Sequence, residues 1–244
     1  MVICAIWPVC TISAVVGGVA LAATAALAIV LRSSAGIRAA VFIGTLAVCF
    51  TTGILANWPP ALTAILACAL PLTALHLAAR QAPRLRPATP WLAWGKTSRE
   101  TPWLALATVM GAAIALAAWA LAVHPEPSAY LRSLQELPTW QALLGVGAFA
   151  LVNPVWEEAL FRGVLLSELA TIWRPRVALV LQALLFGAAH WTGFPSGPTG
   201  TFMAASWGFI LGIMRLRTGG IIIPYLVHVT ANATIGALAI TLLR

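Results

Sequence analysis

Long apolar stretches with almost no charge are the feature that most limits what this 244-residue chain can fold into. Only 8% of its residues are charged, 61% are apolar, Asp is absent, and the mean hydropathy is +0.95. A soluble domain carries roughly a quarter charged residues, so this chain cannot cover a water-facing surface. We therefore predict an integral membrane protein of the all-α class.

The apolar runs predict about eight transmembrane helices, because a bilayer core needs roughly 20 apolar residues per helix. The predicted spans lie near 9–31, 39–57, 61–79, 103–123, 139–171, 177–191, 201–214 and 219–243. Since residues 1–31 contain no Lys or Arg, the first run is interpreted as a span and not as a cleaved signal peptide. We expect one polytopic bundle with no separate soluble domain.

The basic residues predict the orientation of this bundle. Eleven of the fourteen fall in loops after the first, third, fifth and seventh spans: Arg32, Arg38, Arg80, Arg84, Arg86, Lys96, Arg99, Arg174, Arg176, Arg215 and Arg217. Arg132 and Arg244 fall on the opposite side. Cytoplasmic loops are rich in Lys and Arg, so both termini are predicted outside the cytoplasm, with a bacterial inner membrane as the expected location. This clustering explains the net charge of +8 without a nucleic-acid partner.

Two adjacent glutamates interrupt the fifth apolar run, where ionisable residues are costly and usually mark function. Glu158 and Arg162 are four residues apart and share a helix face, so they are predicted to pair. Glu157 points about 100° away and needs a partner from another helix or from water. Glu168, near the end of the run, is expected to reach water. A desolvated carboxylate such as Glu157 is suited to act as a general base.

Two more polar groups occur in later spans. His190 follows Phe186 by one helical turn, so the Phe186 ring is expected to form a wall beside the imidazole. His228 and Asn232 share one face of the last span. A Glu, two His and an Asn from three helices form a set that can activate water and stabilise an oxyanion. Each group alone is as readily explained by structural hydrogen bonding between helices.

The ordered series Glu157-Glu158-x-x-x-Arg162, Phe186-x-x-x-His190 and His228-x-x-x-Asn232 resembles the CPBP intramembrane proteases, which include the type II CAAX prenyl endopeptidases and bacteriocin-processing relatives. The resemblance covers residues 139–240. It implies a protease core over 139–244, after transmembrane helices of no specific signature over 1–130. It also implies an endopeptidase that acts near the C-terminus of a membrane-associated protein or peptide.

The resemblance also implies roles for the site residues. Glu157 and His190 would activate the water, His228 and Asn232 would hold the oxyanion, and Glu158 and Arg162 would support the site. We expect no cofactor. The alternative is a zinc ion held by Glu157, His190 and His228, because zinc sites commonly use three protein ligands and a water.

The substrate remains open among prenylated CAAX proteins, bacteriocin leaders and C-terminal sorting signals. A different class of protein is also open, namely a non-catalytic scaffold or transporter that retains the fold. A transporter usually shows paired halves, and the sequence shows none. A scaffold would tolerate the loss of a site residue, and none is missing.

Overall fold

A computed structural model describes residues 19, 22–23, 25–126, 132, 135–191 and 194–241, and their regular structure is helical throughout. Beyond a helical stretch over 25–30, the α-helices are α1 (Ser34–Leu55), α2 (Pro60–Gln81), α3 (Thr101–Val123), α4 (Thr139–Glu157), α5 (Leu166–Ile172), α6 (Pro175–Ala189), α7 (Gly197–Thr218) and α8 (Ile222–Thr241). The all-α class is therefore confirmed.

Four of the described helical stretches are long and apolar enough to cross a membrane: Ser34–Gly53, Thr101–Val123, Thr139–Ile172 and Ile222–Thr241. The prediction of about eight spans is thus too high by these measures. Helix α6 has only 15 residues, and α7 carries Arg215 and Arg217 in its last turn. The predicted first span, 9–31, lies largely outside the described residues. The four spans make the chain an integral membrane protein.

The predicted fifth span is continuous but changes helix type in its middle. A π-helix over Glu158–Leu165 separates α4 from α5. The π-helix has i→i+5 hydrogen bonds, is rare, and frequently occurs at functional sites. Its eight residues include Glu158 and Arg162, and those from Glu158 to Val164 are buried. The wider helical turn therefore coincides with the buried charged residues Glu158 and Arg162.

Glu168 does not reach water, contrary to expectation. It is 6% exposed, and both of its oxygens accept hydrogen bonds from Arg38 on α1, from Nε at 2.8 Å and from Nη2 at 2.6 Å. Trp91 Nε1 donates to the same carboxylate at 3.0 Å. A paired charge can stay inside a protein where an unpaired one would be costly, so this pair joins α1 to α5.

The segment after α2 is a loop that packs against the far end of the chain. Lys96 N–H donates to the Thr218 carbonyl at 2.7 Å, and Ile221 N–H donates to the Ala93 carbonyl at 2.9 Å. Gly95 has a φ of +85° and lies against Gly220, where an added Cβ would meet backbone atoms of the loop. The loop therefore closes one end of the bundle through contacts that only glycine permits.

Candidate active site

Glu157 and Glu158 end one helix and begin the π-helix, and both carboxylates are fully buried. Arg162 is also fully buried, and its Nη1 lies 3.0 Å from Glu158 Oε1. The predicted Glu158–Arg162 pair is thus present. The Arg162 guanidinium carbon also lies 4.3 Å from the centre of the Phe186 ring. A cation over an aromatic face is favourable, so Phe186 joins the group that holds Arg162.

His228, on α8, lies between the two glutamates. Its Nδ1 is 2.7 Å from Glu158 Oε1, and its Nε2 is 3.4 Å from Glu157 Oε2. The partner that Glu157 needs from another helix is therefore His228. Because a carboxylate accepts, Nδ1–H donates to Glu158, which fixes the orientation of the imidazole. The Phe186 and Trp207 rings each stand edge-on to this imidazole at 6.1 Å.

Asn153 completes the surroundings of Glu157 and was missed by the sequence analysis. Its Nδ2 donates to Glu157 Oε1 at 2.9 Å, while its Oδ1 accepts a 3.3 Å hydrogen bond from Trp156 Nε1. Asn153 precedes Glu157 by four residues, so the spacing rule that identified Glu158 and Arg162 would also have found it. One oxygen of Glu157 is therefore held by its own helix.

His190 lies just past the end of α6, where the helix stops at Ala189. Its Nδ1 is 2.8 Å from the Phe186 carbonyl, which can only accept, so Nδ1 carries the proton in this bond. The neutral ring then presents an unprotonated Nε2. The Phe186 and His190 rings lie 4.4 Å apart, which confirms the predicted wall beside the imidazole.

These side chains meet at a cavity of about 570 Å³. Its polar lining includes all four predicted catalytic residues and Asn153, and most of the remaining lining is apolar. Helix α3 contributes Thr108, Gly111 and Leu116, so helices outside the predicted protease core also form the cavity.

Two buried donors in this cavity have no hydrogen-bond partner among the described residues: Asn232 Nδ2 and Trp207 Nε1. Asn232 was predicted to lie here. Trp207 was not among the predicted site residues. Buried polar groups are normally paired, so unpaired donors that line a cavity are available to a substrate.

The alternative zinc ligands, Glu157, His190 and His228, all line this cavity. The described residues include no group of three His, Cys, Asp or Glu side chains arranged to hold a metal ion. His228 Nδ1 is bonded to Glu158, and His190 Nδ1 to the Phe186 carbonyl. These bonds leave Nε2 of each imidazole as the nitrogen that would bind zinc in the alternative mechanism, which stays a prediction.

Comparison with known proteins finds one family model that matches this region. Residues 139–234 match the Rce1-like family, described as type II CAAX prenyl endopeptidase Rce1-like. An uncharacterized 24.3 kDa protein of Escherichia coli is 31% identical over 144 residues, which are 56% of this chain and 63% of that protein. The chain thus spans less than two thirds of that relative's length. No solved structure matches the chain. The matched residues run from the start of α4 to just beyond Asn232 and contain every predicted site residue, so this match supports the CPBP-type resemblance that the motifs predicted.

Proposed function

We propose that the chain is an intramembrane endopeptidase that hydrolyses a peptide bond in a membrane-associated protein or peptide, near its C-terminus. The observation that carries this proposal is the buried Glu157–His228–Glu158 cluster, which opens onto the same cavity as His190 and Asn232. The Rce1-like match supports a peptidase. A cluster built only for stability would not leave buried donors unpaired in a large cavity.

Glu157 is the proposed general base. Asn153 holds its Oε1, whereas its Oε2 has no hydrogen bond within the described part of the chain and lies 3.4 Å from His228 Nε2. A water held by Glu157 and by His190 Nε2 loses its proton to Glu157 as its oxygen attacks the carbonyl carbon. The same proton then passes to the leaving amine as the peptide bond breaks. Atoms and charges balance without a cofactor.

The proposed oxyanion donors are His228 and Asn232, with Trp207 as a third. During attack, negative charge leaves Glu157 and appears on the carbonyl oxygen. A proton on His228 Nε2, which lies 3.4 Å from Glu157 Oε2, is attracted less by Glu157 once that carboxylate has taken a proton, and it then donates to the new anion. Asn232 Nδ2 and Trp207 Nε1 need not break a hydrogen bond before they donate to this anion. Donors that are already in place are what stabilises such an intermediate.

The test is cleavage by purified protein in detergent or vesicles. Membrane-anchored peptides that end in a CAAX sequence, a sorting signal or a bacteriocin-leader sequence serve as substrates, and mass spectrometry locates the cut. Glu157→Gln should abolish cleavage while the protein still accumulates and folds. Glu126→Gln removes an 89% exposed carboxylate and is the matched control, which should cleave normally.

A chelator arm distinguishes the two mechanisms. With Glu157 and His190 acting directly on water, exhaustive chelation should leave the cleavage rate nearly unchanged. Stoichiometric zinc, with activity lost on its removal and restored on its return, would contradict the metal-free mechanism. Near-normal turnover by Glu157→Gln would remove Glu157 as the base.

A further inference from the structure

A second cavity, of about 460 Å³, lies away from the proposed catalytic site. Helix α2 lines one side of it with Leu72, Leu75, His76, Ala79 and Arg80. These positions follow the spacing of one helix face. The opposite side is formed by the segment after α2, which contributes Leu85, Arg86, Pro87, Trp91 and Leu92.

The wall of this cavity is held firmly in place. Trp91 is buried, its Nε1 donates to Glu168 at 3.0 Å, and its ring stands edge-on to Phe42 with centroids 6.2 Å apart. The Arg86 carbonyl accepts from Arg38 Nη1 at 3.3 Å. Because the Arg38–Glu168 pair holds both Trp91 and the Arg86 carbonyl, the wall of the cavity has a fixed position in the bundle.

The charge of the cavity is positive and uncompensated. Neither Arg80 nor Arg86 forms an ion pair within the part of the chain that the structure describes. None of the residues that line the cavity is acidic. Glu168, which bonds Trp91 behind the cavity, has both oxygens engaged by Arg38. An anion in the cavity would therefore lie beside two arginines and no carboxylate of the lining residues.

Charge and apolar surface are separated along the cavity. Leu72 and Arg80 are eight residues apart, which is about 12 Å along α2. The end of α2 with Arg80, followed in the chain by Arg86, is the cationic end, and Leu72 and Leu75 lie earlier along the helix. A small anion would use only the cationic end. A phospholipid would place its phosphate there and its glycerol and first acyl carbons against the leucines.

We propose that this cavity binds one phospholipid with an anionic headgroup. Basic pockets between transmembrane helices on the cytoplasmic side favour such lipids. The positive-inside pattern predicts the cytoplasmic side for Arg80 and Arg86. The site is separate from the proposed catalytic cavity, and its occupation does not depend on any peptidase activity. Trp91 connects the two regions, since its carbonyl lies against Gly163 of the π-helix.

Native mass spectrometry of the full chain tests this assignment, with phosphatidylglycerol, phosphatidylcholine of the same acyl chains, and inorganic phosphate as probes. We expect one phosphatidylglycerol per chain, bound at least about tenfold more tightly than phosphatidylcholine, because each cation near the surface favours an anionic lipid. The double variant R80Q/R86Q should lose this preference. R84Q is the matched control, because Arg84 belongs to the same basic segment but does not line the cavity.

A79F fills the cavity without changing any charge, so it should also release phosphatidylglycerol, and it keeps the test decisive if the double variant does not fold. Equal retention of the two lipids by the wild-type chain would overturn the proposal. Equal phosphatidylglycerol binding by R80Q/R86Q and R84Q, or undiminished binding by A79F, would do the same. Displacement of the lipid by an equimolar amount of inorganic phosphate would show a phosphate-ion site instead.

Discussion

The two oxygens of Glu157 have different surroundings. Oε1 accepts from Asn153, while Oε2 has no hydrogen bond and faces His228 Nε2 at 3.4 Å. A general base needs one lone pair free for the proton it takes and a fixed orientation for the rest of the carboxylate. Asn153 supplies that orientation from one turn earlier in the same helix. It acts through Glu157 and is a positioning residue.

Asn153→Ala should therefore slow cleavage by about 10- to 100-fold, which is the effect of losing one hydrogen bond to a charged group of about 1.5–3 kcal/mol. Steady-state kinetics of cleavage should show the loss in kcat, with KM little changed. Ser206→Ala is the control, because Ser206 also lines the cavity but its hydroxyl bonds the Phe202 carbonyl of its own helix. An equal slowing by both variants would contradict the positioning role.

Glu158→Gln should act on stability instead. It removes the carboxylate that faces both Arg162 and His228 and leaves the fully buried Arg162 without its ion-pair partner. Breaking a buried pair from one side costs about 3 kcal/mol or more. Thermal unfolding in detergent should show a clear fall in the midpoint for Glu158→Gln and a much smaller one for Glu157→Gln. The reverse order would refute the division of roles between the two glutamates.

The pairs in the site show how much the sequence could predict. The contacts Glu158–Arg162 and Phe186–His190 lie within one chain segment at a spacing of four residues, so helical periodicity predicts them. The contact of His228 with Glu158 spans 70 residues and depends on how α8 packs against α4. The motifs indicated that these residues belong to one site, but not that His228 lies between the two carboxylates.

At the scale of elements, the π-helix and the loop after α2 are what hydropathy could not predict. Hydropathy reports an apolar run over 139–171 but not the hydrogen-bond pattern inside it. The loop was predicted only as a basic connection, whereas Trp91 within it is buried. Arg215, expected in a cytoplasmic loop, is also buried and donates to the carbonyls of Pro90 and Arg162. The loop thereby supports the π-helix from outside.

Gly220→Ala should weaken this support. The added Cβ would meet the backbone of Trp94 and Gly95, which cannot move aside as a side chain can. Overpacking of this kind typically costs about 1–3 kcal/mol, so the unfolding midpoint should fall. Gly147→Ala is the control, because a Cβ there meets no atom within 4 Å and Ala favours a helix. Unchanged stability of Gly220→Ala would show that the loop is not packed as described.

At the scale of the whole molecule, the bundle has a predicted orientation. Helix α3 has 23 residues, or about 35 Å, which is enough to cross a bilayer core of about 30 Å. It separates a segment rich in Lys and Arg from one with few. Reporter fusions should place residues 80–102 in the cytoplasm and residues 124–138 outside. Both segments on one side would contradict the predicted topology.

The Arg38–Glu168 pair also affects the order in which the helices assemble during synthesis. The two residues are 130 positions apart in the chain, and ribosomes add about 5–20 residues per second. The arginine is thus made on the order of ten seconds before its carboxylate exists. During that interval the first helices hold an unmatched cation, which is more stable at the lipid headgroups than inside the bundle. We therefore expect helix α1 to reach its final depth only after α5 has been synthesised, so that assembly of the early helices waits for the late ones.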